Sequence, residues 1–148
     1  LGGGFYASRL YRDLRKNSGL VYYVGSSFQV GRTRAVYLAR YACDAANVSR
    51  AREIIEHDLR AMQTEPVSVR ELRQAKSLAL NAIPLSQASV DAVAAGLLGR
   101  ASLGLPLDEP RRAAERYAEL GAGEIRAAFA KWLRVRDLAQ VTQGPAPH

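Results

Sequence analysis

The feature that most limits the fold of this chain is an abrupt change of hydrophobic period around Gly19. Before it, apolar residues recur with the 3.6-residue spacing of an amphipathic helix, at Ala7, Leu10, Tyr11 and Leu14. After it, the period falls to two. Strict alternation predicts a strand with Tyr22, Val24, Ser26, Phe28 and Val30 on one face and Tyr23, Gly25, Ser27 and Gln29 on the other. The segment is therefore predicted to run from a helix, through a glycine cap, directly into a strand.

The remaining patterns predict a second strand and then a series of helices. The run "AVYLARYAC" predicts a second strand, so that 22–43 forms a β-hairpin after a helix over 1–20. Helical periods fill 47–134, and "DLAQVTQG" predicts a short strand over 137–143. Within the helical part, Ser68 and Glu71 form a capping box, and one apolar stripe consists of Val48, Ala51, Ile55, Leu59 and Met62. This order predicts an α+β fold in which an antiparallel sheet packs against several helices. Two or three strands are few for so many helices, so we expect 1–148 to be one partial domain, truncated at its N-terminal strands.

Composition narrows the functional classes. The chain has 148 residues, of which 21 are basic and 14 acidic, giving a net charge of +7. These charges recur on the polar faces of the predicted helices, which favours a solvated surface over a nucleic-acid patch. Nucleic acid is therefore not an expected partner. No run reaches the roughly 20 apolar residues needed to span a bilayer, so a membrane is not an expected partner either. Cys43 is the only cysteine, which excludes an internal disulfide and a paired-cysteine metal site.

Two small motifs have simple structural interpretations. The opening "LGGG" lacks a phosphate-binding lysine, so we interpret it as a close-packed entry to the first helix rather than a phosphate cradle. Ser86 and Ser89 are interpreted as helix caps rather than nucleophiles, because no histidine lies near them in the sequence.

The first 28 residues resemble a known family. "LGGGFYASRLYRDLRKNSGLVYYVGSS" is similar to the C-terminal-domain motif of the pitrilysin/insulinase family of zinc metallopeptidases, which includes mitochondrial processing peptidase. The resemblance is strong over 1–28 and looser over the rest of the chain. It rests on Leu1, Gly2, Gly3, Gly4, Ser8, Arg9, Leu10, Leu14, Arg15, Gly19, Leu20, Tyr22 and Val24.

The resemblance implies a peptidase built from tandem copies of one α+β domain, with the zinc site in a different, N-terminal domain that carries H-x-x-E-H. This chain departs from that motif. Its histidines are His57 and His148, so no histidine lies three residues before Glu56 as the motif requires. A set of three protein zinc ligands is therefore not expected here. We expect no metal ligand, cofactor or catalytic residue in this chain, and zinc in a partner domain.

The resemblance further implies that Arg15 and Tyr22 help to hold the substrate backbone. A guanidinium and a phenol hydroxyl are donors that can converge on a peptide carbonyl or on the oxyanion formed during hydrolysis. The structural alternative is an arginine favouring a helix C-terminus and a tyrosine packing on a strand. Tyr23, on the opposite face, is the competitor for the tyrosine role.

The sequence thus predicts a substrate-binding C-terminal domain of a bacterial zinc metallopeptidase. Its expected partners are a zinc-bearing N-terminal domain or subunit, a peptide substrate, and further copies that associate through an exposed sheet edge. A catalytically silent scaffold subunit of the same family and a basic nucleic-acid-binding module are the alternatives. The compartment is open, with the periplasm preferred.

Overall fold

The computed structural model describes residues 1–3 and 5–144. Two strands pair in antiparallel fashion, β1 over Val21–Val30 and β2 over Ala35–Cys43. Five α-helices follow: α1 over Val48–Thr64, α2 over Val69–Leu85, α3 over Val90–Leu103, α4 over Glu109–Glu119 and α5 over Ala122–Trp132. The α+β class predicted from the sequence is therefore confirmed.

The core lies where the hairpin, the N-terminal helical segment and α1 meet. Its buried residues are Leu10, Leu14, Val21, Ala51, Ile55, Leu59 and Val135. The predicted apolar stripes supply most of this set. Leu10 and Leu14 come from the stripe before Gly19, and Ala51, Ile55 and Leu59 come from the stripe along α1. Helix α5 packs against α1, and α2 packs against α4. None of the described residues of α2–α5 is fully buried, so the buried helical residues of the core after β2 come from α1. Phe129 of α5 packs against this core as a partly buried residue.

The N-terminal helical segment is less regular than the predicted helix over 1–20. It consists of a 3₁₀ turn over Phe5–Ala7 and a π-helix over Tyr11–Asn17. Leu1–Gly3 is not helical, because Gly2 O accepts a hydrogen bond from Ser26 N of β1 at 3.2 Å. A Cβ atom on Gly2 would lie 2.4 Å from Ser26 Oγ. The first glycine of "LGGG" thus permits a close approach to a strand edge, where we expected a helix entry.

Strand β1 carries a bulge that overturns part of the predicted alternation. Val21 pairs with Cys43 and Tyr23 pairs with Ala42, which leaves Tyr22 as an extra residue in β1. The bulge shifts the period by one residue, so Val21 and Val24 both face the core. The expectation that Tyr22 and Val24 share a face was therefore wrong.

The predicted short strand over 137–143 is absent from the described part of the chain. Val135–Asp137 forms a 3₁₀ turn, and over residues 1–3 and 5–144 the sheet contains only β1 and β2. Residues of β2 and residues 141–144 line a shared cavity of about 560 Å³. Among the described residues, no backbone hydrogen bond joins 138–144 to β2, so this segment does not extend the sheet.

The described residues contain no single helix that is both long and apolar enough to cross a bilayer. Only α2 and α3 taken together reach the required length and composition, and these two helices are bent by 110° relative to each other.

Candidate substrate-binding site

Gly19 positions the two candidate residues by joining the helical segment tightly to β1. Its φ of 64° lies in the left-handed region, as expected for a glycine that ends a helix. Leu20 N donates to Leu14 O at 2.9 Å across the turn. Because Leu14 and Val21 are both buried, the backbone on either side of the turn is fixed by the core.

Arg15 lies in the last turn of the π-helix, and its side chain crosses this junction. Its Nη1 atom donates to Val21 O, the carbonyl immediately before Tyr22, at 2.8 Å. This is the only hydrogen bond of the guanidinium within residues 1–3 and 5–144, and Arg15 is exposed. A guanidinium has five N–H donors, so the anchored group keeps donors for a ligand.

Tyr22 projects from the bulge and is 67% exposed. Its hydroxyl donates to Asp44, with both carboxylate oxygens at 3.0 Å. This hydrogen bond is the main reason that the pKa of Tyr22 is raised above its ordinary value, and the nearby Arg15 acts in the opposite direction. The structure therefore brings Arg15 and Tyr22 within electrostatic range of each other at one end of the hairpin.

Sequence reasoning missed Asp44, which follows β2 directly. Its backbone O accepts a hydrogen bond from Asn47 N at 2.9 Å in the turn over Ala45–Asn47. Asn47 Nδ2 in turn reaches Leu20 O at 3.5 Å, which ties this turn to the junction around Gly19. The hairpin register contains the missing signal, since pairing Val21 with Cys43 brings the residues after β2 close to the start of β1.

Tyr23 has different surroundings from Tyr22. It is 54% exposed, and its ring lines a cavity of about 230 Å³ together with Gly2, Gly25 and Arg40. Its hydroxyl lies so close to Gly25 that a Cβ atom there would be 2.9 Å away. The hydroxyl is thus directed along the sheet surface.

The residues considered for metal binding do not form a ligand cluster. His57 Nδ1 lies 3.5 Å from Asp58 Oδ1, and the His57 side chain is 80% exposed. Glu56 is paired with Arg52 at 2.7 Å and Arg60 at 2.8 Å, and its pKa is lowered chiefly by the bond from Arg52. Over residues 1–3 and 5–144, no group of three or more potential ligands comes together. His148 lies outside the described residues.

Ser86 and Ser89 form hydrogen bonds with the backbone at the ends of adjacent helices. Ser89 Oγ accepts a hydrogen bond from Ala92 N at 3.1 Å, which caps α3, and Ser86 Oγ donates to Ile83 O at 2.7 Å. Both interactions involve backbone groups of the adjacent helix ends, as expected for capping residues.

Comparison with known proteins adds three findings. The family model described as "Peptidase M16 inactive domain" matches residues 1–78. The crystal structure of a peptidase M16 inactive domain from Pseudomonas fluorescens superimposes with a TM-score of 0.72 at 24% identity. That likeness covers 91% of this chain and 32% of the Pseudomonas chain, and it is a likeness of fold. None of the curated proteins matches this chain.

Proposed function

Because the chain belongs to the family of peptidase M16 inactive domains, the C-terminal domains of pitrilysin/insulinase-type proteins, we propose that it positions peptide substrates for a zinc metallopeptidase. In this proposal Arg15 and Tyr22 hold the substrate backbone. The zinc ion is carried by another domain or subunit, and this chain binds no zinc and performs no cleavage by itself. The whole protein's activity and partners are part of the proposal, because the chain spans only 32% of the structural neighbour.

One observation carries this proposal: Arg15 and Tyr22 are held side by side without being buried. The Arg15 guanidinium is anchored on the carbonyl of Val21, the residue that directly precedes Tyr22. Both side chains are exposed, although the backbone that bears them is attached to the core. Polar groups on rigid elements can bind a ligand with little loss of conformational entropy.

The charge distribution favours a peptide over a nucleic acid as the ligand. Basic side chains on several elements are paired with carboxylates, including Arg9 with Glu71, Arg52 with Glu56 and Arg112 with Asp108. Paired cations contribute little to the counterion release that drives phosphate-backbone binding. We therefore leave nucleic acid out of the proposed partners.

The test is a set of single substitutions in the intact peptidase assembly. Arg15→Ala and Tyr22→Phe should each reduce kcat/KM by roughly 10- to 1000-fold, because a positioned hydrogen-bonding group contributes on the order of 1–4 kcal/mol to transition-state stabilisation. Zinc content and circular dichroism should not change, since neither residue is a ligand or part of the core. The double variant should lose less than the product of the two single losses if both residues bind the same substrate segment.

Tyr23→Phe is the matched control and should retain nearly full activity. Full activity of Tyr22→Phe combined with loss in Tyr23→Phe would transfer the tyrosine role to Tyr23. The proposal would be refuted if Arg15→Ala and both tyrosine variants retained full activity.

A silent scaffold subunit is the second candidate, and one observation favours it. The hydroxyl proton of Tyr22 is already donated to Asp44, so it is not free to stabilise an oxyanion. In a scaffold, Arg15 and Tyr22 would only close the junction between helix and hairpin. The substitutions above would then lower stability without changing turnover.

A further inference from the structure

The hydrogen bond between Tyr22 and Asp44 determines which atoms Tyr22 can offer to a ligand. A phenol has one proton to donate and lone pairs that accept. The proton is directed to the Asp44 carboxylate, whose oxygens both lie 3.0 Å from the hydroxyl. The lone pairs of the Tyr22 oxygen are therefore the part of the group that remains for a substrate.

We infer that Asp44 is a positioning residue that turns Tyr22 into a hydrogen-bond acceptor for a substrate peptide N–H, while Arg15 donates to a peptide carbonyl. The inference rests on the proposed function and deepens it. It replaces the sequence-based expectation that both residues act as donors.

An extended peptide suits this pair because its backbone presents N–H and C=O groups in turn. An arginine side chain can bind the carbonyl groups of a peptide but not its N–H groups, because the guanidinium has no hydrogen-bond acceptor. An acceptor beside it allows the site to bind both kinds of backbone group along one segment. Recognition would then depend on backbone conformation more than on the substrate side chains.

Electrostatics support the acceptor role. The Asp44 carboxylate places a negative charge against the Tyr22 hydroxyl, and it would repel a second negative charge that developed on a substrate oxygen beside this hydroxyl. A transition-state oxyanion is therefore an unfavourable partner for Tyr22 in this arrangement. A polarised N–H dipole is favourable, because a hydroxyl that donates to a carboxylate becomes a stronger acceptor.

The experiment uses the intact peptidase assembly and a peptide substrate in which single non-scissile amides are replaced by esters. An ester keeps the shape of the backbone but has no N–H. One replacement should lower kcat/KM by about 10-fold in the parent protein, which corresponds to the loss of one hydrogen bond. The same replacement should cost less than about 2-fold in Tyr22→Phe, because this variant lacks the acceptor.

Variants of Asp44 separate positioning from folding. In Asp44→Ala the sensitivity to that ester should fall to the level of Tyr22→Phe, and KM should rise with little change in kcat. Asp44→Asn should restore most of the ester sensitivity, because its amide oxygen still accepts the phenol proton and its backbone preserves the turn. Asp137→Asn, an exposed carboxylate on another element, is the control.

The outcomes distinguish this inference from the proposed function. If Arg15→Ala and Tyr22→Phe reduce turnover while Asp44→Ala keeps the parent's ester sensitivity, the acceptor inference is wrong and the substrate-binding role stands. An equal ester effect in the parent protein and in Tyr22→Phe would also overturn the inference. If Arg15→Ala and Tyr22→Phe have no effect on turnover, both fail together.

Discussion

The ion pair between Arg9 and Glu71 connects the N-terminal helical segment to the first turn of α2. Arg9 Nε lies 2.6 Å from Glu71 Oε1, and Arg9 Nη2 lies 2.9 Å from Oε2. The side chains are only 15% and 27% exposed. Glu71 also completes a capping box, because its Oε2 accepts a hydrogen bond from Ser68 N at 3.0 Å. Replacement of Glu71 by Gln should therefore affect stability more than the loss of a surface ion pair would.

The lowered pKa of Glu71 gives an upper limit for the loss of stability in Glu71→Gln. The hydrogen bond from Arg9 is the largest cause that lowers this pKa from 4.5 to about 2. At about 1.4 kcal/mol per pKa unit, the charged form contributes at most about 3 kcal/mol to the free energy of unfolding. Glutamine preserves the capping box but removes the charge, so we expect Glu71→Gln to lower this free energy by about 1–3 kcal/mol at pH 7.

The stability difference between the parent protein and Glu71→Gln should decrease as the pH falls. Because the folded-state pKa is depressed, the contribution of Glu71 is complete above the unfolded value of 4.5 and is lost as the pH falls towards about 2. The difference between the parent protein and Glu71→Gln should therefore shrink by about half at pH 3. Urea unfolding followed by circular dichroism at pH 7 and pH 3 measures both quantities.

Glu53→Gln is the control, because its pair with Arg50 has the same chemistry but is 67% and 70% exposed. We expect this variant to remain within about 0.5 kcal/mol of the parent protein. The reasoning would be refuted if Glu71→Gln cost no more than Glu53→Gln at pH 7. A Glu71→Gln penalty that stayed constant down to pH 3 would also contradict it.

Two further predictions concern the sheet edges. Gly2→Ala should destabilise the fold by about 1–3 kcal/mol in thermal or urea unfolding, because its Cβ atom would lie 2.8 Å from the backbone N of Ser26. Gly3→Ala should be nearly neutral, because none of the described atoms lies within 4 Å of its Cβ position. In the part of the chain that the structure describes, β2 pairs with β1 alone, so we expect the chain to self-associate through the other edge of β2 in sedimentation experiments. A monomer at high concentration would contradict this.

Local signals in the sequence were sufficient for much of the fold. The box formed by Ser68 and Glu71 marks the start of α2, and Gly19 with its positive φ marks the end of the first helical segment. These predictions succeed because capping and glycine conformation depend on a few adjacent residues. The buried stripe of α1 could also be predicted from the sequence, since helical periodicity places Ala51, Ile55 and Leu59 on one face.

Features that depend on residues distant in the sequence could not be predicted from such local signals. The alternating pattern of 137–143 resembles a strand, but a strand also needs a hydrogen-bonded partner. Within the described residues, no backbone hydrogen bond joins this segment to β2. The role of Gly2 is a similar case. Its need to be a glycine comes from contact with Ser26, and no rule applied to the first four residues alone identifies that contact.

The bulge at Tyr22 explains why strict alternation misplaced this side chain. Motif resemblance selected Arg15 and Tyr22, and the structure places both at the junction of helix and hairpin. Strict alternation, however, would have put Tyr22 on the same face as Val24, against the core. The extra residue in β1 instead allows Val21 and Val24 to fill the core while Tyr22 reaches Asp44 in the turn after β2. Because that contact occupies the phenol proton, the same irregularity that exposes Tyr22 also leaves its oxygen as an acceptor.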